Sequence, residues 1–342
     1  MRNKVIPQRV FIRRIQHNED VTSNNSDILK SSAERLGLDV VDTTSIEECL
    51  HQGTKEDLYI VTILDDVIKL RLRGRRNICC WYQGILPEES FMRNSSKFRF
   101  YALSVQERFS LNQCRINFFV SQAMLDHYNR KYKKQYNENS YILPCFNTEI
   151  NESAFFFKEK YRNNYFVYAG GLQVWQCFNQ TLSVYKRIED LQYPDTKLIV
   201  MTKDQDLASE MIRAVGIKNY ETGYTSPKDL PNVLSKVKFG FVLREDTPVN
   251  KVSTPTKIST YLSCGIIPIY SECINAFNSI ASKMNYVIPW QDTDDSLSRV
   301  KRMMEKDIDG NVILSEYKMI FDTYYSNEYH INNIASMLKE LL

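Results

Sequence analysis

No stretch of this 342-residue chain approaches eighteen consecutive apolar residues. The opening MRNKVIPQRVFIRR also lacks the apolar core that a secretory signal carries. A membrane-crossing helix is therefore not expected, and the expected location is the cytoplasm. The eight cysteines include an adjacent pair, Cys79-Cys80, but no CxxC spacing, so they read as reduced core residues and not as a disulfide framework. The four histidines, His17, His51, His127 and His330, are too scattered to suggest a histidine-built metal site. Repeats and low-complexity tracts are missing as well.

The composition, 43% hydrophobic and 25% charged, belongs to a folded globular chain, and the length suits two domains better than one core. Residues 1–150 hold 22 Lys and Arg against 18 Asp and Glu, so the basic excess behind the formal net charge of +3 sits there. It is clustered in Arg71-Leu72-Arg73-Gly74-Arg75-Arg76 and Lys131-Tyr132-Lys133-Lys134. Each run reads either as a solvated face or as a contact for an anionic membrane surface or lipid pyrophosphate. Nucleic acid is not indicated, because the excess is small and no binding motif accompanies it.

Strand-like and helix-like segments alternate along the chain. Val10-Phe11-Ile12 reads as a strand, followed by a polar loop at Asn24-Asn25-Ser26 and a helix that Gly37 ends. Further strands are expected over residues 38–41, 57–64 and 78–82, with an amphipathic helix in the Arg-rich spacer between the last two. Residues 117–121 open another strand–helix unit, and residues 141–144 close the first half. An Asn- and Phe-rich loop over 147–157 and the polar stretch 158–164 mark a domain junction. The second half repeats the pattern, with strands over 165–169, 197–201 and 286–289 and helices over 178–188 and 207–215. The tail from Ser315 is helical, with a break near Ser326-Asn327. This alternation predicts an α/β protein with doubly wound sheets.

The most informative stretch is FGFVLREDTPVNKVSTPTKISTYLSCGIIPIY, from Phe239 to Tyr270. Phe239 to Leu243 is a continuous apolar run, as a doubly covered parallel strand requires. Thr254 suits an N-cap, Pro255 the first helical position, and Gly265 the end of the helix. Ile258, Tyr261 and Leu262 then share the inward face, leaving Lys257 and Thr260 on the other. A parallel strand running into a helix N-terminus makes an anion-binding crevice, to which Arg244 and Lys257 would add full charges. On spacing alone, an ordinary strand–helix–strand unit with surface bases fits equally well.

This stretch resembles the donor-binding signature of GT-B glycosyltransferases of the family-4 type, in particular the subgroup making bacterial surface (capsular or lipopolysaccharide-type) polysaccharides. Ser253, Pro255, Lys257, Tyr261, Leu262, Gly265 and Pro268 match it, with Thr254 inserted, and Thr260 stands where the family places a ribose-binding Glu. WYQGILPEES, Trp81 to Ser90, is a second resemblance; Gln83 stands there where many family-4 enzymes carry His. Gly170-Gly171 follows a strand as the family's phosphate-approaching glycines do, with Gly171 and Gln176 in the places of its usual Arg and Lys.

The resemblance implies two Rossmann-like domains facing across a cleft: residues 1–155 for the acceptor, 156–325 for the nucleotide-sugar donor, and a helix over 326–342 crossing back to the first. It implies a metal-independent, retaining transferase that moves a hexose-type sugar from a nucleotide diphosphate sugar to a lipid-linked or oligosaccharide acceptor. Arg244 and Lys257 would serve the diphosphate, with Gly170, Gly171, Ser253 and Thr254 beside it and Thr260 at the ribose. Gln83, Glu88 and Glu89 would lie on the acceptor side, although Pro87-Glu88-Glu89 is equally an ordinary helix start. Asp204-Gln205-Asp206 and Asp292-Thr293-Asp294 spell the D-x-D by which GT-A enzymes hold a metal, but both read first as helix caps. Two rivals remain: a catalytically inactive GT-B subunit that binds a partner or glycan, and a GT-A-like metal-dependent transferase.

Overall fold

The computed structural model describes residues 9–15 and 19–341. The chain divides into two compact units. One runs through Asn147 and adds Lys251–Thr254 and the segment from Thr323; the other comprises Thr148–Asn250 and Pro255–Asp322. The passage at Asn147 lies at the start of the Asn- and Phe-rich loop over 147–157.

In the first unit the order is β1 (Arg9–Arg13), α1 (Glu19–Glu34), β2 (Asp39–Thr43), α2 (Ile46–Gln52), β3 (Leu58–Val61), α3 (Leu64–Leu72), β4 (Ile78–Tyr82), α4 (Leu86–Asn94), α5 (Lys97–Gln113), β5 (Ile116–Phe119), α6 (Gln122–Tyr132) and β6 (Ser140–Ile142). The strands form one parallel sheet in the order β2-β1-β3-β4-β5-β6. Every residue of β3, β4 and β5 is buried, as expected of strands covered on both faces; β3 and β4 are unbroken apolar runs, and β5 is apolar but for Asn117. One reading is corrected here and one element is added. Asn24-Asn25-Ser26 lies inside α1 and not in a loop: the buried Asn25 amide donates to the carbonyl of Pro144 (2.7 Å) and that of Asn24 to Phe146 (3.2 Å). The seventeen-residue α5 was not anticipated.

The second unit holds β7 (Asn164–Ala169), α7 (Phe178–Glu189), β8 (Thr196–Met201), α8 (Gln205–Val215), β9 (Tyr220–Gly223), α9 (Leu230–Leu234), β10 (Phe239–Val242), α10 (Pro248–Val252, whose end returns to the first unit), α11 (Thr256–Ser263), β11 (Ile267–Ser271), α12 (Asn275–Ala281), β12 (Ile288–Trp290), α13 (Asp294–Glu305) and α14 (Gly310–Phe321). Its parallel sheet runs β12-β11-β10-β7-β8-β9. Phe166, Phe239 and Phe241 stack at its centre, with ring centroids 4.7 and 5.7 Å from Phe166.

The last helix, α15 (Asn327–Leu341), belongs to the first unit and packs on α1. Arg35 pairs with Glu328 at 2.7 Å, and the buried His330 meets the Tyr141 hydroxyl at 2.8 Å.

Candidate functional site

The second sheet reverses its winding between β7 and β10: the chain builds β8 and β9 on one side of β7, then returns to lay β10 on the other. Open α/β sheets bind ligands at such a switch point, beyond the carboxyl ends of the strands. Gly170 follows the end of β7, and Arg244 lies two residues beyond β10. Lys257 arrives from the first turn of α11.

These three residues meet. The Arg244 guanidinium donates to the Gln176 side-chain oxygen at 3.0 Å, and the Lys257 ammonium donates to the same oxygen at 2.8 Å. Arg244 is further fixed by the carbonyl of Leu243 (2.8 Å), and its own backbone N–H donates to Ser271 Oγ (2.8 Å). The ammonium of Lys257 also sits 4.3 Å from the centroid of the Tyr168 ring. Gly170 is held at φ +144°, a backbone conformation that favours glycine, and a Cβ there would stand 2.6 Å from Lys257 Cε and displace the lysine. Among the described residues neither cation has a carboxylate partner. Burial pushes both pKa values down, for Lys257 well below the lysine range, and the neighbouring Arg244 charge adds to its shift. Two cations sharing one neutral oxygen form a site short of negative charge.

The other donor-side residues divide. Gly171 adjoins, its carbonyl accepting from the Tyr168 hydroxyl at 2.5 Å. Thr260 lies one turn after Lys257, its hydroxyl donating to the Thr256 carbonyl at 3.0 Å. Thr254 does not cap α11: the helix starts at Thr256 with Pro255 in the cap position, and Thr254 Oγ1 accepts from the Cys145 N–H at 3.1 Å. Ser253 and Thr254 fall within the first unit by the same division.

In the first unit, Gln83 follows β4 and Glu88 and Glu89 sit in the first turn of α4. The Tyr128 hydroxyl holds the loop through the Gly84 carbonyl at 3.2 Å. Glu88 is bound by Lys131 at 2.9 Å and His127 at 3.2 Å; burial alone would raise its pKa, but these partners outweigh it and hold the carboxyl below its usual range. Lys131 also pairs with the buried Glu107 at 2.7 Å, so it leaves the basic surface run in which the sequence placed it. Arg75 likewise turns inward, to the carbonyls of Gly53 and Leu50. Glu89 is the better placed to titrate: burial raises its pKa, and Gly84 leaves room for its carboxylate, since a Cβ there would stand 1.9 Å from Glu89 Oε1.

No protein-family model and no curated protein sequence matches the chain. Solved structures do. The lipopolysaccharide outer core galactosyltransferase WaaB, in its apo form, aligns with a TM-score of 0.67 at 10% identity, over 97% of this chain and 99% of that one. WaaG, a glycosyltransferase involved in lipopolysaccharide biosynthesis, aligns with 0.65 at 10% identity over 95% and 99%. A variant of S. aureus TarM, in complex with Fondaparinux, α-GlcNAc-glycerol and UDP, aligns with 0.60 at 11% identity over 86% of this chain, which spans 58% of TarM. Two parallel six-stranded sheets wrapped by helices, aligned nearly end to end with WaaB and WaaG, decide the architecture.

The fold is GT-B.

Within this GT-B chain the two D-x-D triplets have ordinary duties. Asp204 heads α8, while Asp292 and Asp294 pair with Arg187 at 2.8 and 3.1 Å, and it is Thr293 that caps α13. No group of three or more His, Cys, Asp or Glu placed to hold a metal ion occurs among the described residues. Sequence reading missed the parts played by Gln176, Tyr168 and His127. The signal for the last was available: His127 and Lys131 stand four apart on α6, hence on one helix face.

Proposed function

We propose that this GT-B chain is a glycosyltransferase moving a hexose-type sugar from a nucleotide diphosphate sugar to a lipid-linked or oligosaccharide acceptor in bacterial surface polysaccharide synthesis. The observation that carries the reading is the pair of cations, Arg244 and Lys257, converging on one neutral oxygen at the switch point of the second sheet. A departing nucleotide diphosphate gains negative charge as the glycosidic bond breaks, and cations fixed in advance stabilise that charge without reorganising. These two side chains would do the work a metal does elsewhere. The side-chain oxygen of Gln176 marks the place a phosphate oxygen would take between the two cations. Gly170 and Gly171 let the backbone approach, Ser253 and Thr254 lie on the chain leading into α11, and Thr260 replaces the ribose ligand with a single neutral oxygen. Gln83, Glu88 and Glu89 serve the acceptor, with Glu89 as the titrating group. The resemblance to the family-4 type favours retention of configuration, and the names of WaaB and WaaG favour an envelope glycan as acceptor, met at the inner face of the cytoplasmic membrane.

A second reading, a GT-B subunit that binds a glycan or partner without turnover, is favoured by the neutral residues Gln83, Gln176 and Thr260 at places where the family uses charged or titrating ones. Calorimetric titration with a panel of nucleoside diphosphates, with and without EDTA, separates the two when paired with an assay of diphosphate release from the matching sugar donors. Because burial and the Arg244 charge hold the Lys257 pKa down, a bound anion should raise it, and affinity should fall as pH rises through the range of that shift. Binding in EDTA with proton uptake, plus release, is the expected result. Binding without release from any donor supports the inactive subunit, and no binding at all defeats the donor-site assignment.

A further inference from the structure

A soluble helix normally hides its apolar residues and shows its polar ones. In α5 the arrangement is inverted. Phe98, Tyr101, Val105 and Phe109 are 85%, 66%, 71% and 39% exposed, whereas Glu107 is fully buried, tied to Lys131 (2.7 Å) and Tyr132 (2.5 Å) of α6. At 100° per residue, Phe98, Val105 and Phe109 fall within about 40° of one another, with Tyr101 beside them, so they form a single stripe. The stripe continues onto α4, which packs alongside through the Phe91–Phe100 ring contact (5.9 Å) and exposes Met92.

The exposed charges on α5 have one sign. Lys97, Arg99 and Arg108 are exposed on α5 itself, and Glu107 is the only acid between residues 91 and 113. A helix with outward aromatic and aliphatic side chains flanked by bases fits the boundary between lipid headgroups and acyl chains. A second copy of the chain fits poorly, since a two-fold contact would set this basic face against itself. We propose that the α4–α5 face seats the protein on an anionic lipid surface, with the stripe at the acyl boundary and Lys97, Arg99 and Arg108 at the phosphates. The proposal uses other residues than the Arg71–Arg76 run and does not depend on the reading of the donor site.

Sedimentation with phosphatidylglycerol and phosphatidylcholine vesicles tests it, using the full chain and thermal melts as folding controls. The wild type should partition to phosphatidylglycerol and release with added salt. Phe98→Ser with Val105→Ser should weaken partitioning by about tenfold or more. Removing Lys97, Arg99 and Arg108 together as Ser should weaken it by about fivefold per charge at low salt. Arg73→Ser with Arg76→Ser should cost less than the apolar pair. Failure of the wild type to bind, equal partitioning of all variants, or a larger loss from Arg73 and Arg76 would overturn the assignment. So would self-association that Phe98→Ser with Val105→Ser abolishes in a protein that ignores vesicles.

Discussion

Each sheet has one switch point, and the two are built with opposite charge accounting. In the first unit the switch lies between β1 and β3, and the arginines at the end of β1 are matched by acids. Arg13 meets Asp66 at 3.1 Å, and Arg14 meets Asp27 and Asp42, both at 2.7 Å. Further along the same sheet Lys131 is matched twice, by Glu88 and Glu107. In the second unit the switch between β7 and β10 carries Arg244 and Lys257, whose shared acceptor is an amide oxygen. A buried cation matched by carboxylates is satisfied within the fold, whereas a pair left with a neutral acceptor is satisfied only when something negative arrives. The same residue types are matched by acids in one half and left with a neutral acceptor in the other, and the proposed function gives the second arrangement its use.

The sharpest way to break this contrast is to remove a cation from each side. Lys131→Met should cost about 3 kcal/mol of stability, because it leaves the buried Glu107 with the Tyr132 hydroxyl but no cation, and the loss should shrink in acid as Glu107 takes up a proton. Urea denaturation at neutral and acid pH reads both effects, and a variant as stable as the wild type at neutral pH would make Lys131 a surface base after all. Arg244→Ala and Lys257→Ala should do the reverse: each should lower turnover by about a hundredfold, roughly 3 kcal/mol, with melting temperatures preserved. Release of nucleoside diphosphate is the assay. Near wild-type rates in both variants would end the donor-site assignment.

A smaller effect tests the case in between, a buried ammonium with neither acid nor ligand. Among the described residues Lys160 donates to the carbonyls of Cys264 and Leu234 and to no acid, and burial pushes its pKa down to about 7 from the ordinary 10.5. Between those values the unfolded chain holds a proton that the folded one lacks, so stability should rise with pH by about 1.4 kcal/mol per unit. Lys238, pushed to about 8, adds in the same direction higher up. Denaturation at pH 7, 8 and 9 should show the slope in the wild type and a reduced slope in Lys160→Met; equal slopes would mean Lys160 stays charged.

Much of the fold was legible because both sheets are parallel and buried on both faces, so strands such as β4 and β10 stand out as unbroken apolar runs. The meeting of Gly170, Arg244 and Lys257 was legible for a related reason. A residue just past a strand and one in a helix's first turn are placed by the backbone alone. Thr254 was not, because its hydroxyl is claimed by Cys145, 109 residues away, and no local pattern announces such a partner. Helix α5 escaped because its apolar residues fall on both faces, Leu111 buried and Phe98 and Val105 exposed, while a glutamate lies inside, so no clean apolar-in, polar-out pattern marks it. The Lys131–Lys134 run looked like one patch in sequence. Helix geometry splits it: Lys131 points inward from the last turn of α6, and Lys133 ends the helix in a left-handed conformation at φ 49°.

The return of α15 to α1 sets an order of events during synthesis. The first six strands leave the ribosome early, yet the surface of α1 on which α15 packs stays uncovered until residues beyond Thr323 have been made. Phe146 likewise waits for Tyr325 and His330, whose rings lie 5.6 and 5.8 Å away, and the Asn24 amide waits for Asn327. The entire second unit is translated in that interval. The half that begins first is therefore the half that finishes last, and a nascent chain stalled before Thr323 would present an unfinished apolar face to whatever chaperone or protease is nearby.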